Sequence, residues 1–381
     1  MKILFVSNVR SHIGQFHTNY INYLRKNGHH IEVSCYDNSA DKDGYDFSSI
    51  DAFHFIPLQR SPFKLKNLKA ISELTQIIKD GNYDIIHCHT PMGAVAARTA
   101  AQRAKTKAKV IYTAHGFHFF KGAPLMNWLF FYPVEKYLAR YTDTLITINS
   151  EDYNLAVKKK FKVKDGIIRV NGVGVDLKKF TPSTDEIKAK LREEYGYSQD
   201  SFMLIYPADI VRGKNQEMIF NAVKSLQEKI PTIRLLLPGH QRMLEEYKQI
   251  VKEMGIEDRV DFLGYRRDIH KLVSMCDISV SASRREGLPV NLIEAMAIGK
   301  PIIATRVRGN ADLVENGVNG YLVELDNWQE MADRIYEIYT HPETAKKMSK
   351  TAVKMSEKYS IENVNRTLAD VYKKYGAVFK Y

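Results

Sequence analysis

Glu286 and Glu294 enclose the run Gly287-Leu288-Pro289-Val290-Asn291-Leu292-Ile293, directly behind a short apolar stretch that ends near Ser283. Carboxylates accept hydrogen bonds from hydroxyl groups and suit the rings of a sugar or a ribose. Between them, Gly287 frees a turn and Pro289 is expected at the first position of a helix, where its missing N–H goes unused. The amides around Leu288 and Val290, with the positive end of that helix, suit a diphosphate. Acids near a helix start also occur with no ligand in view, and that reading stays open for the segment alone. Arg212-Gly213-Lys214-Asn215 follows a second strand-like run and precedes another helix. Two cations there form an anion site where charge on a departing diphosphate would be stabilised, or else a solvated charged turn.

The first half of the chain offers a smaller set. Ser11-His12-Ile13-Gly14-Gln15 is expected between the first strand and first helix, with Gly14 letting the backbone approach a phosphate. Ala114-His115-Gly116-Phe117-His118 ends another strand, so His115 can aim an imidazole into a crevice as a hydrogen-bonding or proton-carrying group, with His118 and Lys121 as helpers. Asp41-Lys42-Asp43 reads as a solvated polar loop. The histidines show no HxxxH or HExxH spacing, and no metal is proposed.

These residues need loops held at strand ends. Short β-branched runs alternate with amphipathic stretches throughout, the pattern of parallel sheets covered by helices. Strands are predicted at 3–7, 31–36, 53–57, 84–89, 110–115 and 144–149, then at 202–208, 233–238, 260–263, 278–281, 301–305 and 320–323. Helices are predicted at about 16–27, 125–140, 216–229, 243–254, 290–298 and 328–339, with a polar helical tail. Asn171, Gly172, Gly174 and Pro182 mark a boundary between two such series. Two doubly wound units imply a ligand cleft at the carboxyl ends of the strands.

A chain of 381 residues, 44% hydrophobic and 26% charged, fits two globular domains. Cys35, Cys88 and Cys276 lie apart in apolar runs and read as reduced core residues. The apolar start is too short for a signal peptide and no run reaches membrane-spanning length, so a cytoplasmic location is expected. Of the net charge of +12, residues 1–180 hold +11. Lys64, Lys66 and Lys69 alternate with Phe63, Leu65 and Leu68, while Lys158, Lys159, Lys160, Lys162 and Lys164 surround Phe161. Such segments fit an anionic membrane surface or a phosphorylated lipid, or a plain solvated face. Nucleic acid is disfavoured, since no nucleic-acid motif accompanies the charge.

The run from Glu286 through Glu294-Ala295-Met296-Ala297, with Gly299-Lys300-Pro301, Gly309-Asn310-Ala311-Asp312 and Asn316-Gly317-Val318-Asn319-Gly320, resembles the signature of retaining glycosyltransferases of family 4. Asn171-Gly172-Val173-Gly174-Val175-Asp176 resembles that family's interdomain segment. Thr113 to Gly122 is similar to bacterial capsule and exopolysaccharide transferases of the EpsD type. The resemblance implies an α/β GT-B fold, two Rossmann-like doubly wound domains facing each other across a cleft. Residues 1–180 would bind the acceptor, completed by a C-terminal helix from about 361 to 381, and residues 181–360 would bind the sugar nucleotide. It further implies that Glu286 contacts the donor hexose, Glu294 its ribose, Lys214 and Gly14 the phosphates, and His115 the transferred sugar. Tyr265 and Arg266, in Gly264-Tyr265-Arg266-Arg267-Asp268, match the loop that holds the base. Asp209 stands near where relatives carry an arginine, which leaves Arg212 as the second cation by charge and proximity alone.

The expected activity is metal-independent, cofactor-free transfer of a hexose or N-acetylhexosamine from a UDP-sugar. The expected acceptor is a polyprenyl-diphosphate-linked saccharide at the inner face of the membrane, with His12, His118 and Lys121 on the acceptor side. Two rivals are a UDP-sugar 2-epimerase on the same scaffold and a non-enzymatic polyanion-binding module.

Overall fold

Buried apolar strands must satisfy their backbone groups in a ladder, and runs apolar on both faces do so in parallel sheets covered by helices. The computed structural model describes residues 1–40 and 44–380; Asp41-Lys42-Asp43 therefore lies outside the described residues. Two compact units result, Met1–Gly174 with Ile361–Tyr381, and Val175–Ser360. The division falls a few residues before the boundary read from the sequence, inside the Asn171–Pro182 segment.

In the first unit β1 (Lys2–Val9), β2 (His30–Tyr36), β3 (Ala52–Phe55), β4 (Ile85–His89), β5 (Lys109–Ala114), β6 (Thr144–Thr147) and β7 (Ile167–Arg169) form one parallel sheet. Its order is β3-β2-β1-β4-β5-β6-β7. Side chains alternate across it: Leu4 and Val6 enter one apolar cluster, Ile3 and Phe5 another. The second cluster also takes Val364, Leu368 and Tyr372 of the Ile361–Lys373 helix, whose Tyr372 hydroxyl meets His87 Nδ1 at 2.7 Å. β7, three residues after a glycine, carries too little pattern to be foreseen.

In the second unit β8 (Phe202–Ile205), β9 (Ile233–Pro238), β10 (Val260–Gly264), β11 (Ile278–Ser281), β12 (Ile302–Thr305) and β13 (Gly320–Val323) form a parallel sheet of order β10-β9-β8-β11-β12-β13. One large apolar cluster, including Leu204, Phe220, Leu235, Val280 and Met331, packs its helices against it. In both sheets the strand order reverses once, between β1 and β4 and between β8 and β11. Connections leave for opposite faces there, opening a crevice at the carboxyl ends.

Two local expectations change. A helix Arg10–Phe16 starts directly after β1, followed by a second, Thr18–Lys26, so Gly14 sits within a helix instead of a phosphate-facing turn. A Cβ on Gly14 would lie 2.4 Å from the Tyr45 ring, so the missing side chain seats that ring. Pro289 is the residue before the Val290–Ile298 helix, one position earlier than predicted.

Candidate active site

At the reversal of the second sheet, the segment after β8 and the segment after β11 meet. Lys214, closing a short 3-10 turn, donates from Nζ to Glu286 Oε1 at 2.5 Å. Ser283 Oγ donates to the same oxygen at 2.6 Å, and Ser283 Oγ in turn meets the buried Tyr206 hydroxyl at 2.6 Å. Glu286 Oε2 has no partner among the described residues. Burial opposes the Lys214 charge, yet Glu286 more than compensates and its proton affinity is raised. Arg308 is buried and donates from Nε to the Glu286 carbonyl at 2.9 Å. Burial and neighbouring Arg308 lower the proton affinity of Arg285. Lys214, Arg285 and Arg308 thus lie around Glu286, and Asp209 acts more weakly on Lys214. Cations fixed in a partly dry crevice suit an anion.

The loop after β12 locks this geometry. Gly309, at φ +81°, approaches the Gly287 carbonyl so closely that a Cβ would stand 2.5 Å from its oxygen. Buried Asn310 donates to the Thr305 carbonyl at 2.9 Å, and Thr305 Oγ1 to the Ser283 carbonyl at 2.7 Å.

Glu294 is half-buried on the Val290–Ile298 helix and has no hydrogen bond or ion pair among the described residues. Burial pushes its carboxyl up to about 7, with Lys179 pulling the other way. No hydrogen bond or ion pair joins it to Lys214 or Glu286 among the described residues. Val290 is half-buried at the start of that helix and Leu288 is buried before it. Tyr265 is exposed and stacks on His240, ring centroids 4.6 Å apart. Arg266 is engaged elsewhere, its guanidinium forked onto Asp268 at 2.8 and 2.5 Å. Arg212 is exposed and faces Glu246 at 3.4 Å. Arg285, Arg308 and His240 are the residues that sequence reasoning missed. Their only signal is adjacency, to Glu286, to Gly309 and to the end of β9.

In the first unit the strand ends bring together imidazoles far apart in sequence. His12 and His17 follow β1, His87 and His89 end β4, and His115 follows β5. His12 and His17 face each other, Nε2 to Nε2, at 3.4 Å, and His115 Nε2 meets His89 Nδ1 at 3.4 Å. Burial lowers all five, His115 to about 4 and His87 to about 3, so each is a neutral imidazole near neutral pH. The backbone after His115 is held by Asp152, which accepts from the Phe117 amide at 3.1 Å. Thr90, directly after β4, adopts φ +63°, a strained state for a β-branched residue that a site must hold in place.

Beside this cluster opens a cavity of about 1140 Å³, lined by His12 and His118, by Phe16, Phe63, Leu65 and Phe130, and by Arg60 and Lys64. Lys121 is exposed and is not part of that lining. The two basic segments part company here. Phe63 and Leu65 are 79% and 82% exposed, so their lysines flank a bare apolar surface, which Leu125, Met126 and Leu129 of the Leu125–Leu138 helix extend. Phe161 is 7% exposed within the core, so the lysines around it are a solvated face over a packed ring.

Residues 187–355 match the family described as glycosyl transferases group 1, and residues 2–149 match glycosyl transferase 4-like proteins. A Bacillus subtilis (strain 168) chain that carries the glycosyltransferase name EpsD is 40% identical, over 98% of this chain and 97% of its own. An Escherichia coli UDP-Gal:alpha-D-GlcNAc-diphosphoundecaprenol alpha-1,3-galactosyltransferase is 30% identical, over 78% and 76% of the two chains. Among solved structures, Anabaena HepE in complex with UDP superposes with a TM-score of 0.80 at 21% identity, covering 98% of this chain and 100% of its own.

Proposed function

The chain belongs to the group 1, family-4-like glycosyltransferases of GT-B fold, and we propose that it transfers a hexose or N-acetylhexosamine from a UDP-sugar, with retained configuration, to a polyprenyl-diphosphate-linked saccharide. The observation that carries this reading is the meeting of Lys214 and Glu286 at the sheet reversal, with Arg285 and Arg308 around them. Breaking the sugar–phosphate bond leaves a diphosphate whose charge grows in the transition state. A fixed ammonium there lowers the barrier without a metal ion. Glu286 shares only Oε1 with Lys214 and Ser283, which leaves Oε2 to grip a donor hydroxyl. Glu294 is assigned the ribose, Tyr265 the base, and neutral His115 the sugar being moved.

The acceptor reading rests on the large cavity of the first unit. Its apolar walls suit an isoprenoid chain, and Arg60 and Lys64 suit the diphosphate at its head. The bare apolar surface of Phe63, Leu65 and Leu125 beside lysines fits attachment to an anionic bilayer. The E. coli relative is named for a GlcNAc-diphosphoundecaprenol acceptor.

The test is incubation of the purified chain with radiolabelled UDP-sugars and short-chain polyprenyl-diphosphate GlcNAc, in excess chelator. Label in the lipid fraction is expected. Conversion of the UDP-sugar without an acceptor would identify an epimerase instead, and strict dependence on added manganese would overturn the metal-free mechanism.

A further inference from the structure

We infer that His12, His17 and His115 form a binding site for a divalent transition metal ion such as zinc, in the first unit beside the large cavity. One ring nitrogen from each lies within 4.8 Å of the other two. Zinc binds imidazole at about 2.0–2.1 Å, so two ligand nitrogens on a tetrahedron stand about 3.3–3.4 Å apart. The 3.4 Å between His12 Nε2 and His17 Nε2 equals that edge. Two neutral imidazoles at this separation share a single hydrogen bond at best, whereas a metal ion takes a lone pair from both.

The surroundings satisfy the other requirements of a metal site. A cavity of about 20 Å³ lined by His17, His89 and His115 is enough for one water-sized occupant. His89 Nε2 is buried there with no hydrogen-bond partner among the described residues. His12 also lines the large cavity, which supplies an entry path and room for a water in the fourth position. An all-imidazole set selects zinc, copper or nickel and offers nothing to magnesium or calcium, which require oxygen ligands.

The site is not a requirement for transfer. It engages His115, assigned above to the transferred sugar, and His12 on the acceptor side, so occupancy should inhibit; that consequence alone rests on the proposed function. Binding itself is tested independently of activity. The tag-free full chain is freed of metal with chelator, titrated calorimetrically with zinc sulfate, and loaded with cobalt to look for the visible bands of a tetrahedral site. One zinc per chain is expected. His12→Gln and His115→Gln should each weaken binding by more than the about 10- to 100-fold lost when a group behind a ligand is removed. His118→Gln, on the same cavity but outside the cluster, should bind as the parent does. Thermal unfolding in chelator reports whether each variant is folded. Absence of zinc binding, equal binding by folded His12→Gln, or an equal response to magnesium would overturn the inference.

Discussion

Glu294 shows how much of a residue's chemistry comes from its placement. An ordinary glutamate titrates near 4.3, but burial holds this one at about 7. The folded chain therefore keeps a proton that the unfolded chain has released. This contribution to stability is full below the ordinary value and disappears as pH rises through about 7. A ribose hydroxyl donates to the carboxylate form, so UDP-glucose, whose diphosphate charge is constant over this range, should bind more tightly as pH rises from about 6 to about 8. Calorimetry on Glu294→Gln should give a flat profile, and a parent profile equally flat would take Glu294 out of the donor site. At this scale the sequence was half legible. Spacing and loop position pointed to Glu286, Lys214 and His115, because a short motif states its own chemistry. Arg308 could not be read, since its contact with the Glu286 carbonyl comes from the loop after the neighbouring strand. The Arg212–Glu246 contact could not be read either, because charge beside a glycine does not say which way a side chain turns.

At the scale of elements, the Leu125–Leu138 helix carries two jobs that its composition could not separate. One side is fastened to the core by Glu135, which takes the guanidinium of Arg98 at 2.8 Å; Arg98 is 1% exposed. Arg98→Met leaves that carboxylate buried without its partner and should destabilise the first unit by about 3–5 kcal/mol in denaturant unfolding. Arg98→Met combined with Glu135→Leu should recover a large part of the loss. The opposite side presents Leu125, Met126 and Leu129 to solvent. Phe63→Ser with Leu65→Ser should reduce sedimentation with anionic liposomes several-fold while leaving UDP affinity unchanged, and equal sedimentation would remove this face as the membrane contact. Strand positions were nearly all readable because period and β-branching decide them locally. The helix inside which Gly14 lies was not, since the Tyr45 ring that fills the space over that glycine comes from a distant loop.

At the scale of the whole molecule, two parallel sheets each reverse their strand order once and gather chemistry at that point: Lys214 with Glu286 in one, the histidines in the other. Alternating apolar runs made both sheets legible, and the glycine-rich segment at Asn171–Pro182 marked their division. The histidine cluster stayed hidden, because separate strand ends bring its members together. The account depends most on Lys214 holding the diphosphate. UDP titrated calorimetrically into the parent and into Lys214→Ala tests this directly. A hydrogen bond to a charged group is worth about 1.5–3 kcal/mol, so the variant should bind UDP about 10- to 100-fold more weakly, with an unchanged thermal transition in the absence of nucleotide. Equal UDP affinity in the two proteins would contradict the account.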